Sequence, residues 1–572
     1  MEAQYARILD TRLEAISENK VCYVLKEGSQ VTSFVPLVSS SHSNSNTNFN
    51  LNNISDFTAR DSRLGLGITV TATINVSNTT GSPIQVIQAD NFGFKQYPLN
   101  RSMSSVQHQI NQASYTLNSN DILDGIARVN LLPEDCNFYD NTMPDLIDNY
   151  AAATGTGLTP LASYSNTLAG DGVYKPRSVR YSVTGGSVAG GVTQNVIVTA
   201  TLYEPLITPF TNISAHDSRA LYAITGELIQ VQWVSDLWNN MFAFVAPAGI
   251  SVNGTPSVSL GSQANLFTIY LTPKENTIAE IPHQSVYQYN DYSIFTNTIA
   301  SSVAPHSDVV NVNSQVVNFT NLPNKILVYA RTSNGSRTSA TPDKYLTIKN
   351  LTVQFDNGLP QFSGATTDQL YDISKRNSLA MPRACFRQDL LNVNNTGVAG
   401  GLYGCGSVMV IDPALDLGIR PGDSAGSGGR YIFQVQNATF TNNTDTSFNS
   451  VTLYVIGVNS AVLERVGSEY RNYLLTTPPD AVNRIQELPA VSYKQYLSAS
   501  HANLFLMGGG VGDWFKKAVS MGTKAYDWAK KNKETLKQGY DVGKALLGKG
   551  MDRGSRLFGD NVRPARHSAF YQ

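Results

Sequence analysis

Charge is what this sequence has least of: Asp, Glu, Lys and Arg make up 15% of its 572 residues, well under the roughly 25% of ordinary soluble domains. Asn, Ser, Thr and Gln take their place. A polar but weakly charged surface suits tightly packed assemblies, because charge is depleted at interface cores. Cysteine is scarce too. Cys22, Cys136, Cys385 and Cys405 lie far apart, with no CxxC pair and no histidine at ligand spacing, which argues against both a structural zinc site and a disulfide framework. No run reaches the roughly 18 apolar residues of a membrane span. Met1 to Lys20 carries charges where a secretion signal would be apolar. Synthesis in a reducing compartment, the cytosol, is the expectation. The Asn-x-Ser/Thr sites at Asn75, Asn78, Asn318 and Asn437 then read as chance products of an Asn- and Thr-rich chain.

The charge that is present is unevenly placed. Residues 511–572 hold 13 Lys/Arg against 6 Asp/Glu, a net of +7, which leaves -8 for the rest of a chain whose total is -1. The body repels nucleic acid overall, and the tail is the basic segment.

Alternation with period two dominates the body. Ile68, Val70, Ala72, Ile74 and Val76 interleave with Thr69, Thr71, Thr73, Asn75 and Ser77, the pattern of a strand with one buried and one wet face. Val196 to Leu202, Ile229 to Trp233 and Val451 to Val455 repeat it. At Leu346 and Ile348 the phase slips by one before Leu351, Val353 and Phe355, which predicts a β-bulge near Lys349 or Asn350. Helical signals in the body are few. One runs from Thr366 to Asn377, where Thr366 and Gln369 have capping-box spacing and Leu370 with Ile373 forms a short apolar face.

Polar, glycine-rich stretches at Ser39 to Asn53, Ala152 to Gly172, Thr184 to Gly191 and Pro421 to Gly429 read as surface loops. Long loops in a strand-rich chain favour two-sheet sandwiches with decorated ends over a meander. The expected fold is all-β, two tandem eight-stranded jelly rolls followed by a basic amphipathic helical tail. The division is an N-terminal arm over 1–54, jelly rolls over 55–272 and 273–485, a linker over 486–510 and the tail over 511–572. No internal sequence repeat marks the two halves.

Two catalytic motifs are suggested and set aside. Gly422-Asp423-Ser424-Ala425-Gly426 matches the nucleophile elbow, which needs a strand before it and a helix after it. Here Ser427-Gly428-Gly429 and a strand-like run from Arg430 to Gln436 follow, so a hairpin loop is the expectation. Gly543 to Lys549 has P-loop spacing, but Gly550 stands where magnesium needs a hydroxyl. No catalytic residue, cofactor site or metal site is expected, and the chain is read as a non-enzyme.

After Leu506 the character changes. Trp514, Ala518, Met521, Ala525 and Trp528 follow helical spacing, with Lys516, Lys517, Lys524, Lys530 and Lys531 between or beside them. Such a helix has three uses: docking against other proteins, entering a lipid interface through Trp514, Phe515 and Trp528, or clamping nucleic acid.

An ordered series of segments resembles the hexon-like double jelly-roll major capsid proteins of polintons, adintoviruses and virophages. Leu322 to Arg331, Asp343 to Ile348, Val353 to Asn357, Gln369 to Ser374 with Asn377, Gly406 to Val408, Asp416-Leu417 and Gly429 to Val435 carry it in the second half. Tyr97 to Arg101, Asp121 to Leu123 and Pro144-Asp145 carry it in the first. The resemblance implies a capsid subunit whose homotrimer forms a pseudo-hexagonal capsomer of an icosahedral DNA-virus shell. It also implies neighbouring capsomers, penton and minor capsid proteins as partners, and through the tail an internal membrane or the genome. The tail is similar to substrates of adenovirus-type maturation proteases, with Met507-Gly508-Gly509-Gly510 before Val511 as the matching site. Cleavage after Gly510 is therefore expected. The competing expectations are a receptor-binding or carbohydrate-binding β-sandwich protein and an enzyme built around Ser424.

Overall fold

A computed structural model of the chain describes residues 30–33, 36–52, 59–61, 64–88, 91–130, 179–208, 210, 220–221, 224–268, 270–272, 284–341, 344–356, 358–393, 401–417, 428–466 and 469–474. Strands dominate them. In the first half the strands that build the two main sheets are, in chain order and leaving out shorter ones, β1 (Asn46–Asn52), β2 (Gly65–Asn78), β3 (Met103–Ile110), β4 (Ala113–Leu117), β5 (Tyr181–Thr184), β6 (Thr193–Pro205), β7 (Gly226–Trp233) and β8 (Ala264–Phe267). One sheet runs β4-β3-β7-β1, and a second runs β5-β6-β2-β8, every neighbour antiparallel.

The alternation read from the sequence is what closes these sheets on each other. Ile68, Val70, Ala72, Ile74 and Val76 of β2 are each at most 1% exposed and join Phe49, Val106, Val196, Val198 and Val231 in one core. The opposite face of β2 carries a hydroxyl and amide ladder against β6. Thr69 meets Thr201 at 3.1 Å, Thr71 meets Thr199 at 3.3 Å, Asn75 donates to Asn195 at 2.7 Å, and Ser77 meets Thr193 at 2.7 Å. The ladder satisfies polar groups that water would otherwise have to serve.

The second half repeats the plan with longer strands: β9 (Gln284–Val303), β10 (Ser307–Val312), β11 (Val317–Asn321), β12 (Lys325–Thr332), β13 (Thr347–Phe355), β14 (Met409–Ile411), β15 (Gly428–Asn442), β16 (Phe448–Val466) and β17 (Glu469–Leu474). One sheet runs β9-β16-β12-β14, with β17 also on β16. In the other, β15 pairs with β10, β11 and β13. Between them lie Phe319, Val328, Val353, Phe433, Phe440 and Val455.

The bulge is where the phase slip places it. Ile348 faces Phe440 and Asn350 faces Thr439, so Lys349 is the extra residue, and both Ile348 and Leu351 reach the core. The helix expected over Thr366 to Asn377 spans Thr367–Arg376, and Thr366 and Gln369 form the reciprocal capping box.

One reading needs correction, and one helix is absent from the sequence pattern. Ser39 to Asn53, expected as a loop within the arm, contains β1, whose Phe49 and Leu51 are 0% and 2% exposed. Four asparagines around two apolar residues look like a loop, yet their alternation places every second side chain outward. The helix over Ser119–Asn130 was also not read from the sequence. Its Ile122, Leu123 and Ile126 are buried, but an Asn- and Asp-rich first turn and Gly125 in the middle mask the pattern.

Candidate functional site

All described residues fall in one compact unit, and the two sandwiches meet along an extensive seam. Four helices define its edges: α1 (Pro98–Arg101), α2 (Ser119–Asn130), α3 (Leu237–Met241) and α4 (Thr367–Arg376). Ile122, Leu123 and Ile126 of α2 pack in one cluster with Leu327, Tyr329, Tyr454 and Ile456 of the second-half sheet. Gly125 allows the approach: a Cβ there would lie 3.0 Å from Leu327 Cδ1 and 3.1 Å from Tyr329 Cε1.

Polar contacts fix the relative position of the halves. The Tyr329 hydroxyl donates to the Asp121 carbonyl at 2.8 Å, and Arg331 donates to the Asn120 carbonyl at 3.0 Å. Asn334 reaches Asp121 Oδ1 at 2.7 Å, and Arg337 reaches Asn120 Oδ1 at 3.1 Å. From the other side the Lys95 ammonium donates to the carbonyls of Thr338 and Thr341 at 2.9 and 3.1 Å. The Arg331 guanidinium also lies 4.5 Å from the centre of the Tyr454 ring. Buried charges held by several partners make the seam costly to shear, because separating them leaves each one unpaired in a dry interior.

Within the first half, Glu204 is fully buried and accepts from the amides of Leu99 and Asn100 and from Asn100 Nδ2. Burial raises its pKa from 4.5 to about 7, against the lowering effect of those hydrogen bonds and of Arg101. In the second half, burial holds the Lys344 amine well below 10.5. Its Nζ donates to Thr444 Oγ1 at 2.6 Å and lies 4.3 Å from the Phe448 ring centre. Both groups are internal: Glu204 holds the first turn of α1, and Lys344 holds the segment of Thr444 and Thr446.

The outward faces differ from these interiors. The β2 and β6 face is neutral along its whole length, as is much of β15 and β13, where Gln434, Gln436, Thr352 and Gln354 point out. Isolated apolar side chains stand exposed beyond them, among them Val310, Val316, Leu359 and Leu415. Charge concentrates instead around α4, where Arg383 bridges to Asp372 at 2.7 Å and Arg387 to Asp368 at 3.6 Å.

The residues singled out from the sequence lie outside the described part of the chain. Met507, Gly508, Gly509, Gly510 and Val511 lie outside the described residues, as do Trp514, Phe515, Lys516, Lys517, Lys524, Trp528, Lys530 and Lys531. Ser424 and the Gly543 to Lys549 stretch do too, but strand β15 begins at Gly428, four positions after the serine, where an elbow would have its helix. Cys385 and Cys405 are buried. Among the described residues, no group of three or more His, Cys, Asp or Glu side chains is arranged to hold a metal.

Comparison with known proteins is consistent along the chain. Residues 4–278 match the model of the Sputnik virophage major capsid protein first domain, and residues 288–461 match the major capsid protein V20 C-terminal domain. Capsid protein V20 of Sputnik virophage is 23% identical over 480 residues, covering 80% of this chain and 77% of that protein. A chain of the cryo-EM structure of Sputnik virophage superposes with a TM-score of 0.68 at 21% identity, covering 85% of this chain and 96% of that one. The crystal structure of the mavirus major capsid protein gives 0.64 at 17% identity, covering 86% and 97%. Two adjoining family models, one per sandwich, together with these superpositions, place the chain among the double jelly-roll major capsid proteins related to those of Sputnik virophage and mavirus, with a hexon-like role in forming the capsid.

Proposed function

We propose that the chain acts as a homotrimer in which three copies set six sandwiches around an axis, giving a pseudo-hexagonal capsomer of an icosahedral shell. The sandwiches are two jelly rolls over 55–272 and 273–485, the first extended by β1 from the arm. The packed seam supports this most directly. A capsomer wall needs its two sandwiches held at a fixed angle, and the Asp121, Tyr329 and Arg331 contacts do that within one subunit. Closed cyclic symmetry then makes the contacts between subunits heterologous, so each presents two different complementary faces. The neutral outward faces suit that use, because burying hydroxyls and amides that already bond each other costs less than burying ions.

The protein works by assembly and carries out no catalysis. Neighbouring capsomers, penton and minor capsid proteins are its partners in the virion. A viral maturation protease cuts after Gly510, and the basic segment with Trp514 and Trp528 then contacts internal layers, a membrane or the genome.

Light scattering on the full-length recombinant protein tests the assembly. A particle of three times the 62.1 kDa chain mass is the expected result, and a stable monomer at micromolar concentration would remove the proposal. An active-site serine probe tests the second point: native protein stays unlabelled, and Ser424→Ala assembles as the wild type does.

A further inference from the structure

A cavity of about 150 Å³ opens on the seam, on the face of the β9-β16-β12 sheet that the last turn of α2 covers. Tyr292, Val458 and Lys325 form one row of its floor, since Val458 pairs with both of the others across the strands. Ile126 and Val129 of the helix and Leu327 of β12 supply the apolar walls.

Lys325 is the charged group of its lining; the other polar groups are Asn290, Tyr292 and Asn324, whose Nδ2 donates to Ser460 Oγ. Among the described residues, Lys325 makes no side-chain hydrogen bond or ion pair, and Asp412 acts on it through its charge at longer range. Burial holds its pKa below 10.5, so the amine sits where an ammonium lacks full hydration and has no counter-ion in contact. Asn290 lines the same cavity, and its side-chain amide has no hydrogen bond among the described residues. An ammonium with no counter-ion in contact among the described residues, and a carboxamide able to donate beside it, set next to apolar side chains, are complementary to an anion with a hydrocarbon body. Size limits that body, because an apolar cavity of about 150 Å³ admits one benzene ring.

We propose that this cavity binds a small carboxylic acid in its ionised form, of the size of benzoate or a short fatty acid. The carboxylate takes hydrogen bonds from Lys325 and Asn290, while the hydrocarbon lies against Ile126, Leu327 and Val458. Occupancy ties α2 of the first half to three strands of the second. A ligand that binds only the folded seam stabilises it in proportion to the logarithm of its concentration. The inference concerns the single subunit and holds whether or not the subunits trimerise.

Calorimetric titration and thermal unfolding of the full-length protein with benzoate test it, with benzyl alcohol as the uncharged counterpart. Benzoate should raise the unfolding midpoint saturably and bind roughly tenfold or more tightly than benzyl alcohol, as expected for a charge-assisted hydrogen bond in a partly dry site. Lys325→Met should abolish that preference, and Lys325→Arg should keep most of it. Val129→Trp, which fills the cavity from the helix side, should remove binding of both compounds while leaving Lys325 in place. Equal responses of wild type and Lys325→Met, or no saturable response to benzoate, would overturn the proposal.

Discussion

Oε1 of Glu204 accepts a hydrogen bond from the backbone amide of Leu99 at 2.7 Å, tying the end of β6 to the first turn of α1. Burial raises the pKa of this carboxyl from 4.5 to about 7, so the folded chain holds the proton more tightly than the unfolded chain does. The contribution of Glu204 to stability is therefore greatest below pH 4.5 and is lost as the pH rises to about 7. Denaturant titrations across this window should show Glu204→Gln gaining on the wild type as the pH rises, then running parallel to it at higher pH. A difference between the two that stays constant from acid to neutral pH counts against this account.

The hydroxyl of Tyr329 is a single atom by which the second sandwich holds the first. Tyr329→Phe keeps the ring packed against Tyr454 and removes only the donor to the Asp121 carbonyl. A loss of about 0.5–1.5 kcal/mol in unfolding free energy is expected. Equilibrium unfolding followed by tryptophan fluorescence measures it, and a change within error of zero would show that water replaces the bond.

Neighbouring positions on β2 should behave oppositely. Ile74→Ala empties part of a fully buried site and should cost about 2–5 kcal/mol. Thr71→Ala removes one hydroxyl of a ladder pair on the outer face, a change of about 1 kcal/mol or less in the isolated subunit. Comparable losses at both positions would mean that the outer face is packed within the subunit.

The segment Met507 to Gly510 makes a prediction of mass. Intact-mass analysis of protein from purified virions should find a chain ending at Gly510, with residues 511–572 present as a separate peptide. A virion protein that still ends at Gln572 would exclude the cleavage.

Much of the sandwich architecture was legible because it rests on local alternation. Ile68 to Val76 announces a strand by itself, and the slip between Ile348 and Leu351 locates the bulge, since a one-residue insertion inverts the phase. The capping box at Thr366 is equally local. Strand β1 and helix α2 were not legible, for a physical reason. Each is specified by what it packs on, Phe49 by the facing sheet and Gly125 by Leu327 and Tyr329, and neither set of partners lies within the element itself. The cavity on the seam was hidden for the same cause. Nothing near Lys325 in the sequence hints that Ile126 and Val129 will cover it. Resemblance supplied the capsid role, which no single motif encodes.

The ladder of Thr69, Thr71, Asn75 and Ser77 against β6 has a consequence for the medium in which the protein works. Ionic contacts between surfaces fade as dissolved electrolyte rises, since mobile ions shield them within about 8 Å in physiological saline. A surface of hydroxyls and carboxamides holds no net field to shield. Contacts formed through such a surface depend less on dissolved electrolyte than ionic ones do.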